Sequence, residues 1–182
     1  MSRRSKKIEK RISVDPKFNS ELIAHVIRVI MKDGKKTTAE KIVYGAIDKI
    51  KEMVEKDASK FTPAKAADAK EDPVAVTDPI EIIAKAIDNM KPQVEVKTRR
   101  VGGTTLPVPV PINPVRQLSL ALRWMTTYAS GRHGMGMAAA VAAEIADAFQ
   151  GQGNVIKKRD DVHKMAAANK AYAHYAWGAN RD

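Results

Sequence analysis

Apolar positions recur along most of this chain at helical spacing, and in one place the period drops to two. Leu22, Ile23, Val26, Ile27 and Ile30 share one face of a first helix, which Ser20 can cap and which stops near Asp33-Gly34. Val43, Ile47, Ile50 and Val54 step at four, three and four along a second, opened by the capping box Thr37-x-x-Glu40, with Lys35-Lys36 in the loop before it. Asp78-Pro79-x-Glu81 starts a third, whose stripe is Ile80, Ile83, Ile87 and Met90 and which Pro92 ends. Asn113-Pro114 opens a fourth, with Val115, Leu118, Leu122 and Met125 inward and Gly131 past its end. A fifth runs from about Gly136 to Gln150 on the seam Met137, Val141, Ile145 and Phe149. A sixth takes Asp160-Asp161 as its first turn, where acids suit the helix dipole, and turns Val162, Met165, Tyr172 and Ala176 inward.

The period-two stretch is Val94 to Ile112. Val94 and Val96 alternate with Glu95 and Lys97, and beyond Arg100-Val101-Gly102-Gly103 the residues Leu106, Val108, Val110 and Ile112 alternate with Pro107, Pro109 and Pro111. Glycines supply the positive φ of a tight hairpin turn. Proline has no N–H, so prolines at every second position can all lie on the outward side of an antiparallel pair, where no further strand could then add. The expected architecture is mainly α: a bundle of about six helices with a protruding two-stranded β-ribbon between the third and fourth. A lone ribbon is marginal in water and needs support. Its cations Lys97, Arg99 and Arg100 point to a polyanion.

Two segments fall outside this scheme. Residues 1–18 form a basic arm carrying Arg3, Arg4, Lys6, Lys7, Lys10 and Arg11. Residues 57–77 have no sustained apolar period and read as a flexible insertion in a domain spanning 19–177, with a short tail at 178–182.

Net charge is +11 with no cysteine, which excludes disulfide scaffolds and thiolate chemistry, suits a cytoplasmic protein, and makes nucleic acid the first partner to consider. An anionic membrane ranks behind it, because the helices read as core helices. The four histidines (His25, His133, His163 and His174) lack metal-ligand spacing. Neither a phosphate-binding loop nor a G-x-S-x-G elbow occurs, so neither an enzyme nor a cofactor is expected. Cations do cluster: Arg116 and Arg123 share a face, Lys157-Lys158-Arg159 precede the sixth helix, and Arg159, His163, Lys170 and His174 form one ridge along it.

Several blocks resemble a known family. Asp15–Ile23 (DPKFNSELI), Asp33–Tyr44 (DGKKTTAEKIVY), Pro92–Thr105 (PQVEVKTRRVGGTT), Ala121–Trp124 (ALRW) and Lys157–Trp177 are similar to the seventh protein of the bacterial small ribosomal subunit, the universal S-seven family. The resemblance covers nearly the whole chain outside 57–77. It implies a helical domain with a β-ribbon that binds 16S rRNA, nucleates assembly of the subunit head and lies at the subunit interface. Exit-site tRNA, messenger RNA and the ninth and eleventh small-subunit proteins would be its neighbours. By matching motif it implies rRNA contacts at Arg3, Arg4, Lys35, Lys36, Lys97, Arg99, Arg100, Arg116 and Lys157 to Arg159; the residues read as basic above (Lys6, Lys7, Lys10, Arg11, Arg123, His163 and Lys170) join them as candidates. The ribbon tip, Val101, Gly102, Gly103 and Thr104, and the last helix, with His174 and Trp177, would lie near tRNA and messenger RNA. Gln117 stands where the family commonly has a second arginine, and the Ala129–Gly136 turn is less basic than the family's.

The physics alone also admits an architectural DNA-bending protein, whose ribbon arm would enter the minor groove. Such arms often carry an apolar or proline wedge at the tip. Here the prolines lie along one strand below an Arg-Val-Gly-Gly tip, which favours RNA.

Overall fold

A computed structural model describes residues 14–57, 61 and 77–176. The elements run α1 (Glu21–Ile30), α2 (Lys36–Lys56), α3 (Pro79–Met90), β1 (Val94–Val101), β2 (Thr104–Pro111), α4 (Pro114–Ser130), α5 (Met137–Phe149) and α6 (Asn154–Ala168), then a short 3-10 helix, Lys170–Tyr175. The fold is mostly helical with an antiparallel hairpin between α3 and α4, as the periodicities require.

At the centre lies α5, packed against α2, α3, α4 and α6. Its alanines explain the position. Ala140, Ala142 and Ala148 are buried with Val141, Ile145 and Phe149, and their small side chains let neighbouring helices come close. The predicted stripe of α2 is buried in full, at Val43, Ile47, Ile50 and Val54. Caps at three helices form as read: Ser20 accepts from the Ile23 N–H at 3.4 Å, Asp78 from Ile80 at 3.0 Å and Asn113 from Val115 at 3.1 Å. Each satisfies a donor that the first helical turn leaves without a partner.

Four expectations are corrected. Thr37 opens no capping box, because α2 already begins at Lys36 with Lys35 at its cap position, and Lys36 instead pairs with Glu40 at 3.5 Å, one turn on. In α3 the buried face is Ile82, Ile83, Ala86, Ile87 and Met90, while Ile80 is half-buried. The stripe is thus rotated toward Ile82 and Ala86. Val115 points outward, 68% exposed, leaving Ala121, Leu122, Met125 and Ala129 as the buried face of α4.

The largest correction concerns α6. It starts at Asn154, after Gly153, so Lys157-Lys158-Arg159 and Asp160-Asp161 lie inside the helix rather than before it and at its head. Gly153 takes φ +94°, and a Cβ there would meet Asp147 Cβ at 3.0 Å, which makes glycine the natural joint between α5 and α6. Val155, Ile156 and Ala166 anchor α6, whereas Met165 and Tyr172, expected inside, are exposed. After Ala168 the backbone tightens to 3-10 geometry, so Lys170 and His174 leave the ridge that Arg159 and His163 begin.

Two anchors had no sequence signal. Phe61, within the stretch read as an insertion, is buried against Phe149 with ring centroids 5.7 Å apart. Asp15 is buried, accepts from the Lys17 and Phe18 N–H groups, and receives the Tyr44 hydroxyl at 2.7 Å, which ties the segment before α1 onto α2. The readings at 1–13, at 58–60 and 62–76 of the insertion, and at Trp177 and 178–182 lie outside the described residues.

Candidate nucleic-acid interface

The ribbon's register explains its prolines. Val101 pairs with Thr104 across a two-residue turn in which Gly102 and Gly103 take φ +57° and +89°, the sign a type I′ turn requires at both positions. Thr98, Val96 and Val94 face Pro107, Pro109 and Pro111, and the Ile112 N–H, one residue on, donates to the Gln93 carbonyl at 3.0 Å. Antiparallel ladders alternate bonded and non-bonded pairs, so every proline falls at a non-bonded position. The tip, Val101 to Thr104, is narrower than the sequence suggests, and Lys97 and Arg99 sit below it on the strand.

Support comes from the C-terminal elements. Strand β1 packs on α6, and β2 on the 3-10 helix. Val108 is wholly buried at this seam, and the Gln93 N–H donates to His163 Nε2 at 3.1 Å. Arg99 donates to the Tyr175 carbonyl. These contacts gather Lys97, Arg99, His163, Lys170 and His174 where ribbon, α6 and 3-10 helix meet, whereas Arg100, next to Arg99 on the strand, points to the ribbon's opposite face.

The candidate cations are of two kinds. Arg116 grips both oxygens of Glu95 through Nε, at 3.1 and 3.0 Å, and Lys97 reaches the same carboxylate at 2.9 Å. Burial pushes the Glu95 carboxyl up, but the hydrogen bonds from Arg116 and Lys97 prevail and hold it below its ordinary range. Arg159 donates to the Asn89 carbonyl and to Asp160, locking α6 to the end of α3, while Asn89 donates to the Ala148 and Phe149 carbonyls at the end of α5. Arg159 and His163 are therefore structural joints as well as candidates.

Arg100, Arg123, Lys157 and Lys170 are exposed, with no acid partner among the described residues. Lys158 is half-buried on α6. His174 is exposed and lies against the Tyr175 ring, centroids 3.9 Å apart. Lys35 and Lys36 belong elsewhere, at the cap and the first residue of α2. Arg3, Arg4, Lys6, Lys7, Lys10, Arg11 and Trp177 lie outside the described residues.

Sequence reasoning missed Arg132. From the turn between α4 and α5 it reaches Glu144 at 2.8 Å and Asp147 at 2.5 Å, and Glu144 is fully buried. Burial pushes the guanidinium pKa down, yet the hydrogen bonds it donates to Asp147 and Glu144 leave it raised. The signal was a lone acid, Glu144, on the apolar face of an alanine-rich helix, with an arginine one turn upstream of that helix.

Among the described residues no group of three His, Asp or Glu side chains could hold a metal ion, and no helix is long and apolar enough to cross a membrane.

Residues 2–170 match the family described as ribosomal protein S7p/S5e. The chain is 44% identical over 177 residues to the small ribosomal subunit protein uS7 of Sorangium cellulosum, covering 97% of this chain and 100% of that protein. It is 45% identical to the protein of that name from Colwellia psychrerythraea and 47% to the one from Francisella philomiragia, with the same coverage.

Proposed function

Because the chain belongs to the ribosomal protein S7p/S5e family, structural and non-enzymatic components of the small ribosomal subunit, we propose that it is a primary binder of 16S rRNA that nucleates assembly of the subunit head. In this reading it lies at the subunit interface, with exit-site tRNA and messenger RNA near the ribbon tip and the last helical turn, and with the ninth and eleventh small-subunit proteins as neighbours. Recognition proceeds without chemistry. Lysines and arginines meet phosphates across a folded junction, reading shape and unpaired bases rather than duplex sequence. The observation that carries the reading is the set of exposed cations left without acid partners, Arg100, Arg123, Lys157 and Lys170, beside a ribbon whose prolines bar a further strand. All four fall within the matched residues.

The test is filter-binding competition at near-physiological salt, with labelled 16S rRNA head-domain fragment challenged by excess tRNA, duplex RNA and duplex DNA. Competition by the unlabelled fragment alone is expected. Equal competition by duplex DNA would overturn the rRNA assignment in favour of DNA bending.

A further inference from the structure

Away from the ribbon, a cleft of about 220 Å³ opens where the turn between α1 and α2 meets α4 and α5. Ile30, Ala39, Ile42 and Met137 give it buried or half-buried apolar walls, and the exposed Lys32 and Lys35 flank it. Neither lysine has an acid partner among the described residues, whereas the neighbouring Lys36 is engaged with Glu40. Apolar walls with two unneutralised ammonium groups at the rim suit a ligand that is flat and apolar at one end and anionic at the other. The volume falls below the range of about 300–1,000 Å³ typical of drug-sized ligands, so the cleft admits one ring system and leaves the charged part outside.

The hydroxyls sharpen the chemistry. Thr126 Oγ1 donates to the Leu122 carbonyl at 2.9 Å and Ser130 Oγ to Thr127 at 2.8 Å, so both present only lone pairs to the cleft. An occupant should therefore bring N–H donors. We propose that this cleft receives one unpaired, amino-bearing base of the bound RNA, adenine, cytosine or guanine in preference to uracil, with the adjoining phosphates on Lys32 and Lys35. The assignment rests on the rRNA-binding reading above and adds to it a base-specific subsite.

Two measurements on the full chain separate the two claims. The first follows ¹³C-methyl signals of Ile30, Ile42 and Met137 during titration with AMP, UMP and inorganic phosphate. AMP should move all three, UMP should need at least fivefold higher concentration, and phosphate should leave them still. The second is Thr38→Phe, which fills the cleft from an exposed position on α2, with Thr38→Ser as control. The phenylalanine variant should bind the rRNA fragment about tenfold more weakly with an unchanged salt dependence, since stacking and packing of a base are lost rather than a phosphate contact. Methyl signals that ignore AMP, or an equal response to dodecyl phosphate, would overturn the subsite, as would Thr38→Phe binding like the parent. If AMP moves the methyls while the rRNA fragment fails to bind, the subsite stands and the rRNA reading falls.

Discussion

Arg132 and Arg116 both hold carboxylates, Arg132 one oxygen each of Glu144 and Asp147 and Arg116 both oxygens of Glu95, yet they do so in different surroundings. Arg132 is 24% exposed and its partner Glu144 is fully buried in α5, bonded through Oε1 with Oε2 left without a hydrogen bond among the described residues. Arg116 is 54% exposed, and its partner Glu95, at the foot of the ribbon, is half-buried, so the pair stands open to water on the arginine's side. Taking two charges out of water is costly, so a buried pair holds firmly once made and penalises the loss of either member. An exposed pair is worth little, because water and salt replace each partner at small cost. The body of the protein thus spends its ion pair on rigidity. Under the proposed function, Arg116 of α4, at the foot of the ribbon, would exchange Glu95 for a phosphate.

The largest effect should come from breaking the buried member of this comparison. Arg132→Ala leaves Glu144 charged and unpaired inside α5, and should cost about 3 kcal/mol in urea unfolding, the lower end for buried pairs because the arginine is not wholly enclosed. Arg132→Met with Glu144→Met should recover most of that loss. A double variant as unstable as the single one would mean that packing, not charge, is what fails.

Next comes Tyr44, a neutral anchor on a buried carboxylate. The hydrogen bond to Asp15, then burial, push its phenol up to about 12. The folded value exceeds the ordinary value of about 10, so the unfolded chain loses this proton first as pH rises. Its stabilisation is complete below about pH 10 and falls away toward pH 12. Tyr44→Phe should cost about 1.5 kcal/mol at neutral pH, because the acceptor is charged, and should flatten the alkaline slope. An identical slope in the variant would assign it to other groups.

Smallest is Arg116→Ala, expected to change stability by less than about 1 kcal/mol while weakening rRNA binding. Glu95 adds a matching pH signature. Its carboxyl is held low, so its contribution is present at neutral pH and is lost as pH falls through the folded value. A loss from Arg116→Ala as large as that from Arg132→Ala would erase the distinction between the two pairs.

What was legible in the sequence followed local rules. The stripe of α2, the caps at Ser20, Asp78 and Asn113, and the outward prolines depend on spacing within a few residues, and each formed as read. The failures came where a tertiary contact overruled a local cue. Asp160-Asp161 looks like a helix start, but Val155 and Ile156 bury themselves five and four residues before Asp160 and pull the start back to Asn154. Ile82 displaced Ile80 because α3 faces α5 on one side and α4 on the other. Among the candidate RNA residues, composition marked the cations but could not separate Arg100, which is exposed, from Arg159, which closes onto the Asn89 carbonyl 70 residues away.

The most direct test of the central claim compares the salt dependence of rRNA-fragment binding in the parent and in a triple variant, Arg100→Ala, Lys157→Ala and Lys170→Ala. These cations have no acid partner among the described residues, so their removal should leave folding intact. If they meet phosphates, the log–log slope should shrink by about 0.7 for each, or about 2 in all. An unchanged slope would contradict the account and remove this surface from the interface.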